Sequence, residues 1–186
     1  MFSTKDTDTY AIRFIDFLKQ PKTTGAIGDY GEHSIHNGLK DIDRKNTHTI
    51  LEVGPAKGAT TAYILAHRAP QSFYECCEIN EEFCGVLKER FGEQFPVHHE
   101  DFLTWRPTKE TYDLIVSGVP MSLLTPQAQH AMLTKTYALL APGGTYVHIQ
   151  YSHALTKQVE QIFWNAEYSY CLFDFPFTCA IVGKKV

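Results

Sequence analysis

Residues 50–61 read Ile50-Leu51-Glu52-Val53-Gly54-Pro55-Ala56-Lys57-Gly58-Ala59-Thr60-Thr61, and no other segment constrains the fold as tightly. A short apolar, β-branched run contains an acid near its end. A Gly-rich turn follows, then residues suited to opening a helix. The order sets a carboxylate and bare backbone amides at the carboxyl end of a strand, where open α/β sheets bind nucleotide-like ligands. Gly54 and Gly58 permit close backbone approach or a positive φ. Free N–H groups at the start of the following helix suit a carboxylate. An ordinary tight turn that binds nothing shares the same local pattern. A dinucleotide fingerprint, G-x-G-x-x-G/A, is poorly matched, because Gly54, Ala56 and Ala59 fill its places.

The rest of the chain supplies the alternation such a turn requires. Tyr10, Ala11, Phe14, Ile15 and Leu18 fall at helical spacing over residues 8–20, and Pro21 ends that helix. A second helix is expected over 33–42. Strands are expected near 49–53, 72–77, 96–99, 112–117 and 144–150, with helices over 59–68, 80–91, 126–140 and 154–165. Two closing strands, near 168–175 and 178–184, are joined by a turn around Pro176. Strand–helix alternation implies a parallel, doubly wound sheet, and the short last connection implies an antiparallel hairpin. The expectation is a Rossmann-like α/β fold with a seven-stranded, mostly parallel sheet. It forms one domain over 1–186, with an N-terminal helical segment (1–46) on the substrate side and a cofactor-binding core (47–186).

Composition narrows the function. A 186-residue chain with 44% hydrophobic residues builds one sizeable core. The formal net charge is −4, without the basic footprint of a nucleic-acid-binding chain. The five cysteines (Cys76, Cys77, Cys84, Cys171, Cys179) include no C-x-x-C pair. They read as buried thiols in a reducing compartment. Adjacent Cys76 and Cys77 should point to opposite faces of a strand, as should His98 and His99. The scattered histidines offer no metal site. Asp6, Asp8, Arg13 and Asp16 interrupt any secretory apolar run. A cytoplasmic protein is expected, with room for contact at the inner face of a membrane.

The pattern E-x-G-x-A-x-G at 52–58 resembles the first motif of class I S-adenosylmethionine-dependent methyltransferases. Ala56 stands where that family usually has its middle glycine. The resemblance implies S-adenosylmethionine as cofactor, held by Glu52, Gly54, Ala56, Gly58, Thr60, Glu78, Ile79, Asp101, Phe102 and Ser117. Glu52 would order loop amides and nearby water. Thr60 and Thr61 would donate to the methionine carboxylate. Glu78, at the end of the second strand, would accept from both ribose hydroxyls; capping the next helix by its charge is a compatible role. Asp101 would accept from the adenine amine, or it is a solvated turn acid. Phe102 or Ile79 would pack on the adenine ring.

Several segments together look like the bacterial phospholipid N-methyltransferases, which methylate phosphatidylethanolamine. They are Pro21-Lys22-Thr23-Thr24-Gly25-Ala26, the turn Val116-Ser117-Gly118-Val119-Pro120, and Leu140-Ala141-Pro142-Gly143-Gly144 with His148-Ile149-Gln150-Tyr151-Ser152. Gly28-Asp29-Tyr30-Gly31 departs from the Pro-Ser-Ser stretch of many relatives. The base-methylating [N/D]-P-P-[YF] signature is replaced by Ser117-Gly118-Val119-Pro120, without a stacking ring, which argues against nucleic acid as partner. The likeness implies a phospholipid or small amine acceptor. Its site would be lined by Tyr151, Tyr30, His148 and the backbone at Ser117 and Gly118. Both tyrosines also read as half-buried aromatics with satisfied hydroxyls. The N-terminal helix lies on a membrane surface or packs back as a lid. A small-molecule N- or O-methyltransferase and a non-catalytic S-adenosylmethionine-binding module are the other readings.

Overall fold

The structure, a computed structural model, describes residues 32–40, 45–150, 156–171 and 178–186. The helix expected over 8–20, the turn around Pro176, Tyr30 and Tyr151 lie outside the described residues. In chain order the elements are α1 (Glu32–Leu39), β1 (Thr49–Val53), α2 (Ala59–His67), β2 (Phe73–Glu78), α3 (Glu81–Phe91), β3 (Val97–His99) and β4 (Tyr112–Ser117). A 3₁₀ turn (Met121–Leu123) then leads to α4 (Pro126–Leu139), β5 (Leu140–Gln150), α5 (Thr156–Ile162), β6 (Glu167–Cys171) and β7 (Thr178–Lys184). The seven strands form one sheet in the order β3-β2-β1-β4-β5-β7-β6. Strands β3 to β5 are parallel, and β7 runs antiparallel to both β5 and β6. The expected α/β fold, with its antiparallel closing pair, is the observed one.

Local chemistry sets the helix boundaries. Asn80 caps α3, its side chain accepting from the Phe83 N–H at 3.2 Å. Thr125 does the same for α4 from Ala128, with Pro126 in the first turn, where a missing N–H costs nothing. Gly92 closes α3 at φ 61°.

Each sheet face carries its own core. Leu51, Val53, Cys77, Ile115 and Tyr146 pack on the side of α4 and Phe163. Ile50, Tyr74, Cys76, Leu114, Val147 and Ile149 pack on the other side with Ile35, Ile64 and Leu87. Cys76 and Cys77 thus face opposite layers, as strand alternation requires. His98 and His99 likewise part, the first toward Glu75 and the second toward the Ile79 carbonyl. On the second face α1 is held to β7 by a buried Ser34–Thr178 hydroxyl contact.

The largest departure from the expected boundaries is β5. Pro142 and Gly143 were expected to precede a strand starting near Gly144, yet pairing begins at Leu140. The β4–β5 register jumps between Tyr112↔Leu140 and Leu114↔Thr145, so the Pro-Gly-Gly stretch is absorbed as an irregularity inside the ladder. α5 ends at Ile162, earlier than expected, and β6 begins at Glu167; the expected start of that helix and the expected end of that strand lie outside the described residues. Among the described residues no helix is long and apolar enough to cross a membrane.

The chain leaves β1 to one side for β2 and returns on the other side as β4. This reversal opens a crevice beyond the carboxyl ends of β1 and β4, the usual ligand position in such sheets.

The closing hairpin offers a packing test. A Cβ on Gly183 would lie 2.7 Å from the Phe163 ring, and Phe163 is wholly buried. Gly183→Ala is expected to destabilise the protein by about 1–3 kcal/mol through overpacking. Thermal unfolding should record a fall of roughly 2–4 °C per kcal/mol at this chain length.

Candidate functional site

Backbone hydrogen bonds carry the sheet ladder beyond the strand ends and gather the loops. The Gly54 N–H donates to the Cys77 carbonyl at 2.9 Å, Gly118 to Val53 at 2.9 Å, and Glu100 to Glu78 at 3.1 Å. The expected loops of the first, second, third and fourth strands therefore meet at one edge. Gly54 (φ 69°), Ala56 (φ 49°) and Gly58 (φ 88°) all take the left-handed conformation. A Cβ on Gly54 would lie 2.8 Å from Val119 in the fourth-strand loop, and one on Gly58 2.7 Å from the Phe91 ring. Both glycines are thus fixed by space as well as by φ. Ala56 tolerates the conformation at a cost of about 1–2 kcal/mol, so the middle position keeps the glycine geometry without the glycine.

Glu78 joins two of these loops. One carboxylate oxygen accepts from the Ala56 N–H at 3.0 Å and the other from the Asn80 N–H at 2.9 Å. Burial pushes its carboxyl above the ordinary value, while the amides of Asn80, Ala56 and Ile79 pull it back. Each oxygen keeps a further lone pair for a ligand hydroxyl. The sequence allowed either ligand binding or a part in the start of α3. The bond to Asn80, the α3 cap residue, supplies the second and leaves the first available.

Glu52 is 1% exposed and faces away from solvent. It accepts from the Thr61 hydroxyl at 2.7 Å and from the Tyr74 hydroxyl. Burial raises its pKa to about 7, against the pull of those two bonds, and the Glu78 charge raises it further. Thr61 was expected to donate to a ligand carboxylate. Its hydroxyl is instead committed to Glu52 in a fully buried position. Thr60 is also buried, at 7% exposure. The groups suited to a carboxylate here are the first-turn amides of α2, which starts at Gly58 without a side-chain cap and without an acid in its first turn.

Beyond β3, Asp101 is half-buried and accepts from the Leu103 N–H at 2.9 Å through one oxygen, closing a tight turn. Phe102, expected on the adenine ring, is only 5% exposed and belongs to the core. Lys135 from α4 lies 4.9 Å from the centre of its ring. Ile79 is half-buried and remains the apolar group nearer the surface.

At β4, Ser117 is buried; its carbonyl lies 3.2 Å from His148 Nδ1, and its hydroxyl oxygen accepts from the Val119 N–H at 3.4 Å. Gly118 is half-buried on the same turn. His148 was expected beside an amine acceptor. It is instead 0% exposed, beneath the strand ends, because β5 alternation turns it into the layer holding Tyr146. Burial lowers its pKa to about 4, so the imidazole is neutral near pH 7. Any part it takes in an amine site is indirect.

Two groups, one half-buried and one wholly buried, escaped the sequence reading. Lys135 Nζ donates to the carbonyls of Phe102, Leu103 and Trp105, bracing the loop after β3 against α4. Glu75, wholly buried, accepts from His98 Nε2 at 2.7 Å, from the Thr108 hydroxyl at 2.6 Å and from the Tyr112 hydroxyl. Its partners lie 23 to 37 positions away, so no local motif marks it.

The donor set suits the cofactor implied by the sequence. Glu78 has lone pairs that would suit two ribose hydroxyls, the uncapped α2 amides would suit a carboxylate, and the positive-φ turn leaves bare backbone able to approach a ligand.

Two stability predictions follow from this geometry. Ala56→Gly relieves a left-handed alanine and is expected to stabilise by about 1 kcal/mol. Calorimetric unfolding should show the gain. Glu52 holds its proton more tightly folded than unfolded, so its favourable contribution is complete below about pH 4.5 and is lost as pH rises through about 7. Glu52→Gln cannot ionise. Native protein should therefore lose stability relative to this variant between pH 5 and pH 8, by on the order of 3 kcal/mol. Parallel denaturation curves at the two pH values would contradict the assignment.

Comparison with known proteins agrees with this architecture. A family model described as a methyltransferase domain matches residues 50–144. The ribosomal RNA small subunit methyltransferase A of Burkholderia mallei is 32% identical over 90 residues, 45% of this chain and 33% of that protein. Thiocyanate methyltransferase 1 of Arabidopsis thaliana is 31% identical over 93 residues, 47% of this chain and 40% of that protein. The matched stretch thus spans only about a third to two fifths of these relatives' own length. Among solved structures, the N-methyltransferase NodS of Bradyrhizobium japonicum WM9, in complex with S-adenosyl-L-homocysteine, superposes with a TM-score of 0.69 at 19% identity. That match covers 95% of this chain and 98% of NodS. A putative methyltransferase bound to the Haloferax volcanii Trm112 activator reaches 0.71 at 13% identity, covering 92% and 96%. These two likenesses are of fold. The matched domain spans half of the chain and contains the Gly54 turn, Glu78 and the Ser117 strand end, and the chain belongs to the class I S-adenosylmethionine-dependent methyltransferases.

Proposed function

We propose that this methyltransferase acts on the primary amine of a phosphatidylethanolamine-type lipid. The observation that carries the reading is the turn after β4. Val116-Ser117-Gly118-Val119-Pro120 matches the phospholipid N-methyltransferase pattern, and Leu123 follows it, 52% exposed on the 3₁₀ turn. An exposed leucine at the rim of an acceptor site suits an acyl chain or a lipid surface better than a charged polymer. The inner wall of the turn is apolar, with Val119, Met121 and Leu124 buried. A net charge of −4 and the missing stacking ring favour a lipid over RNA. NodS, whose fold this chain shares, is by its name an N-methyltransferase.

Bound S-adenosylmethionine supplies an electrophilic methyl group. The chain must present a neutral amine to it in line. An amine with a pKa near 10.4 lies about three units above neutrality, so deprotonation costs about 4–5 kcal/mol at pH 7. An apolar wall lowers that cost by disfavouring the ammonium form. No strong base is then needed; hydrogen-bond acceptors and exclusion of water suffice. The carbonyls at Ser117 and Gly118 are such acceptors, and Tyr30 and Tyr151 belong to the same proposal. The N-terminal helix expected over residues 8–20 would bring the protein to the membrane surface.

The ribosomal RNA methyltransferase relatives support a second reading, with an RNA acceptor. One experiment separates these and a soluble amine: incubation with methyl-labelled cofactor and either total lipid extract, ribosomal RNA or a soluble metabolite fraction. Label is expected in N-methylated phosphatidylethanolamine; label confined to RNA or to soluble amines overturns the lipid reading. Glu78→Gln is expected to weaken S-adenosylhomocysteine binding roughly tenfold in titration calorimetry, because an amide supplies fewer acceptor lone pairs than a carboxylate.

A further inference from the structure

Gln150 ends β5, two residues beyond the His148 that pairs with Ser117. Strand alternation places Tyr146, His148 and Gln150 on one face, and Gln150 is only 3% exposed. One oxygen or nitrogen of its amide lies 3.2 Å from His148 Nε2. The other amide atom is buried and has no hydrogen-bond partner among the described residues.

Proton counting decides which atom is which. His148 Nδ1 lies 3.2 Å from the Ser117 carbonyl, which can only accept, so Nδ1 carries a proton. The buried imidazole is neutral near pH 7. Its Nε2 is therefore bare and must accept. The Gln150 atom facing Nε2 is accordingly the amide nitrogen, which donates. The two ends of an amide have nearly the same shape, and hydrogen bonding assigns them. The buried atom without a partner is then the side-chain carbonyl oxygen. A buried acceptor left without a donor costs about 1–3 kcal/mol. This one sits at the carboxyl edge of the sheet, beside the β4 turn.

The geometry points to Gln150 as a substrate-holding residue, whose side-chain carbonyl accepts an N–H of the methyl-acceptor amine. The assignment rests on the amine reading above. A chain of bonds fixes the carbonyl in place: Ser117 orients His148, and His148 orients the amide. Holding one N–H turns the nitrogen lone pair in a defined direction, as in-line transfer needs. The device has a built-in limit. A neutral primary amine has two N–H groups and a monomethylated amine has one, whereas a dimethylated amine has none. Gln150 therefore serves the first two transfers and contributes nothing to a third.

The test has two arms. In native protein loaded with S-adenosylhomocysteine, histidine-selective nitrogen NMR at pH 7 should show His148 neutral and protonated on Nδ1. A proton on Nε2, or a charged ring, overturns the amide orientation and the proposal with it. In the second arm, Gln150→Met keeps the volume and removes the acceptor. It should bind S-adenosylhomocysteine as native protein does, and lose roughly tenfold in kcat/KM on phosphatidylethanolamine micelles. On N,N-dimethyl phosphatidylethanolamine micelles its turnover should equal that of native protein. Equal losses on both lipids mark a structural role and overturn the proposal, as does full activity on the first. Native protein inert on every lipid defeats the lipid reading instead, and the His148 spectrum still decides how the amide is turned.

Discussion

The Glu78 carboxylate is the bond on which the site depends. It receives Ala56 from the first loop and Asn80 from the second. Without it, a left-handed alanine between two left-handed glycines would have little to hold it in place. The carboxylate is nearly buried and raised in pKa, which is the ordinary cost of desolvating a charge. The surrounding amides offset that cost by donating to the ionised form. The positive-φ loop and the acid expected to read the cofactor's ribose are thus one hydrogen-bonded unit. Glu52 sits on the same sheet face, roped to α2 and β2 through Thr61 and Tyr74. Arg90 adds a tie from α3 to the Lys57 carbonyl. Three elements therefore converge on one seven-residue turn.

Much of this was legible in the sequence because its signals are local. Glu52, Gly54, Gly58 and Glu78 each sit at the junction of a short, bounded strand-like run and a helical one. Such junctions mark strand ends whatever the tertiary packing. The alternation of elements gave the doubly wound sheet for the same reason. Illegible features were those decided by distant partners. Lys135 reads as an ordinary exposed helix lysine, yet it is spent on three loop carbonyls. Glu75 reads as an anomaly in an apolar strand until His98, Thr108 and Tyr112 close around it. His148 and Phe102 were misplaced because a sequence gives the strand end but not the depth of the layer beneath it. The start of β5 was misjudged because Pro-Gly-Gly ordinarily marks a turn, whereas here an irregular register keeps the ladder intact.

The two faces of the sheet divide the labour. One layer, with Tyr74, Cys76 and Glu52, backs the cofactor turn. The other, with Tyr146, His148 and Phe163, backs the end of β5, where an acceptor would arrive. Glu52 in the first layer and His148 in the second are held by hydrogen bonds from within the fold, so each presents a fixed rather than a wandering hydrogen-bonding edge. Preorganisation of this kind matters for methyl transfer, where the reaction needs alignment more than acid–base chemistry.

The strand order also has a consequence for biosynthesis. β7 inserts between β5 and β6, although it is made after both. While a ribosome is still extending the chain, the flank of β5 is therefore a bare, apolar template with open backbone groups. Such a flank invites pairing with other nascent chains. That flank of β5 is covered only when β7 has threaded into the gap.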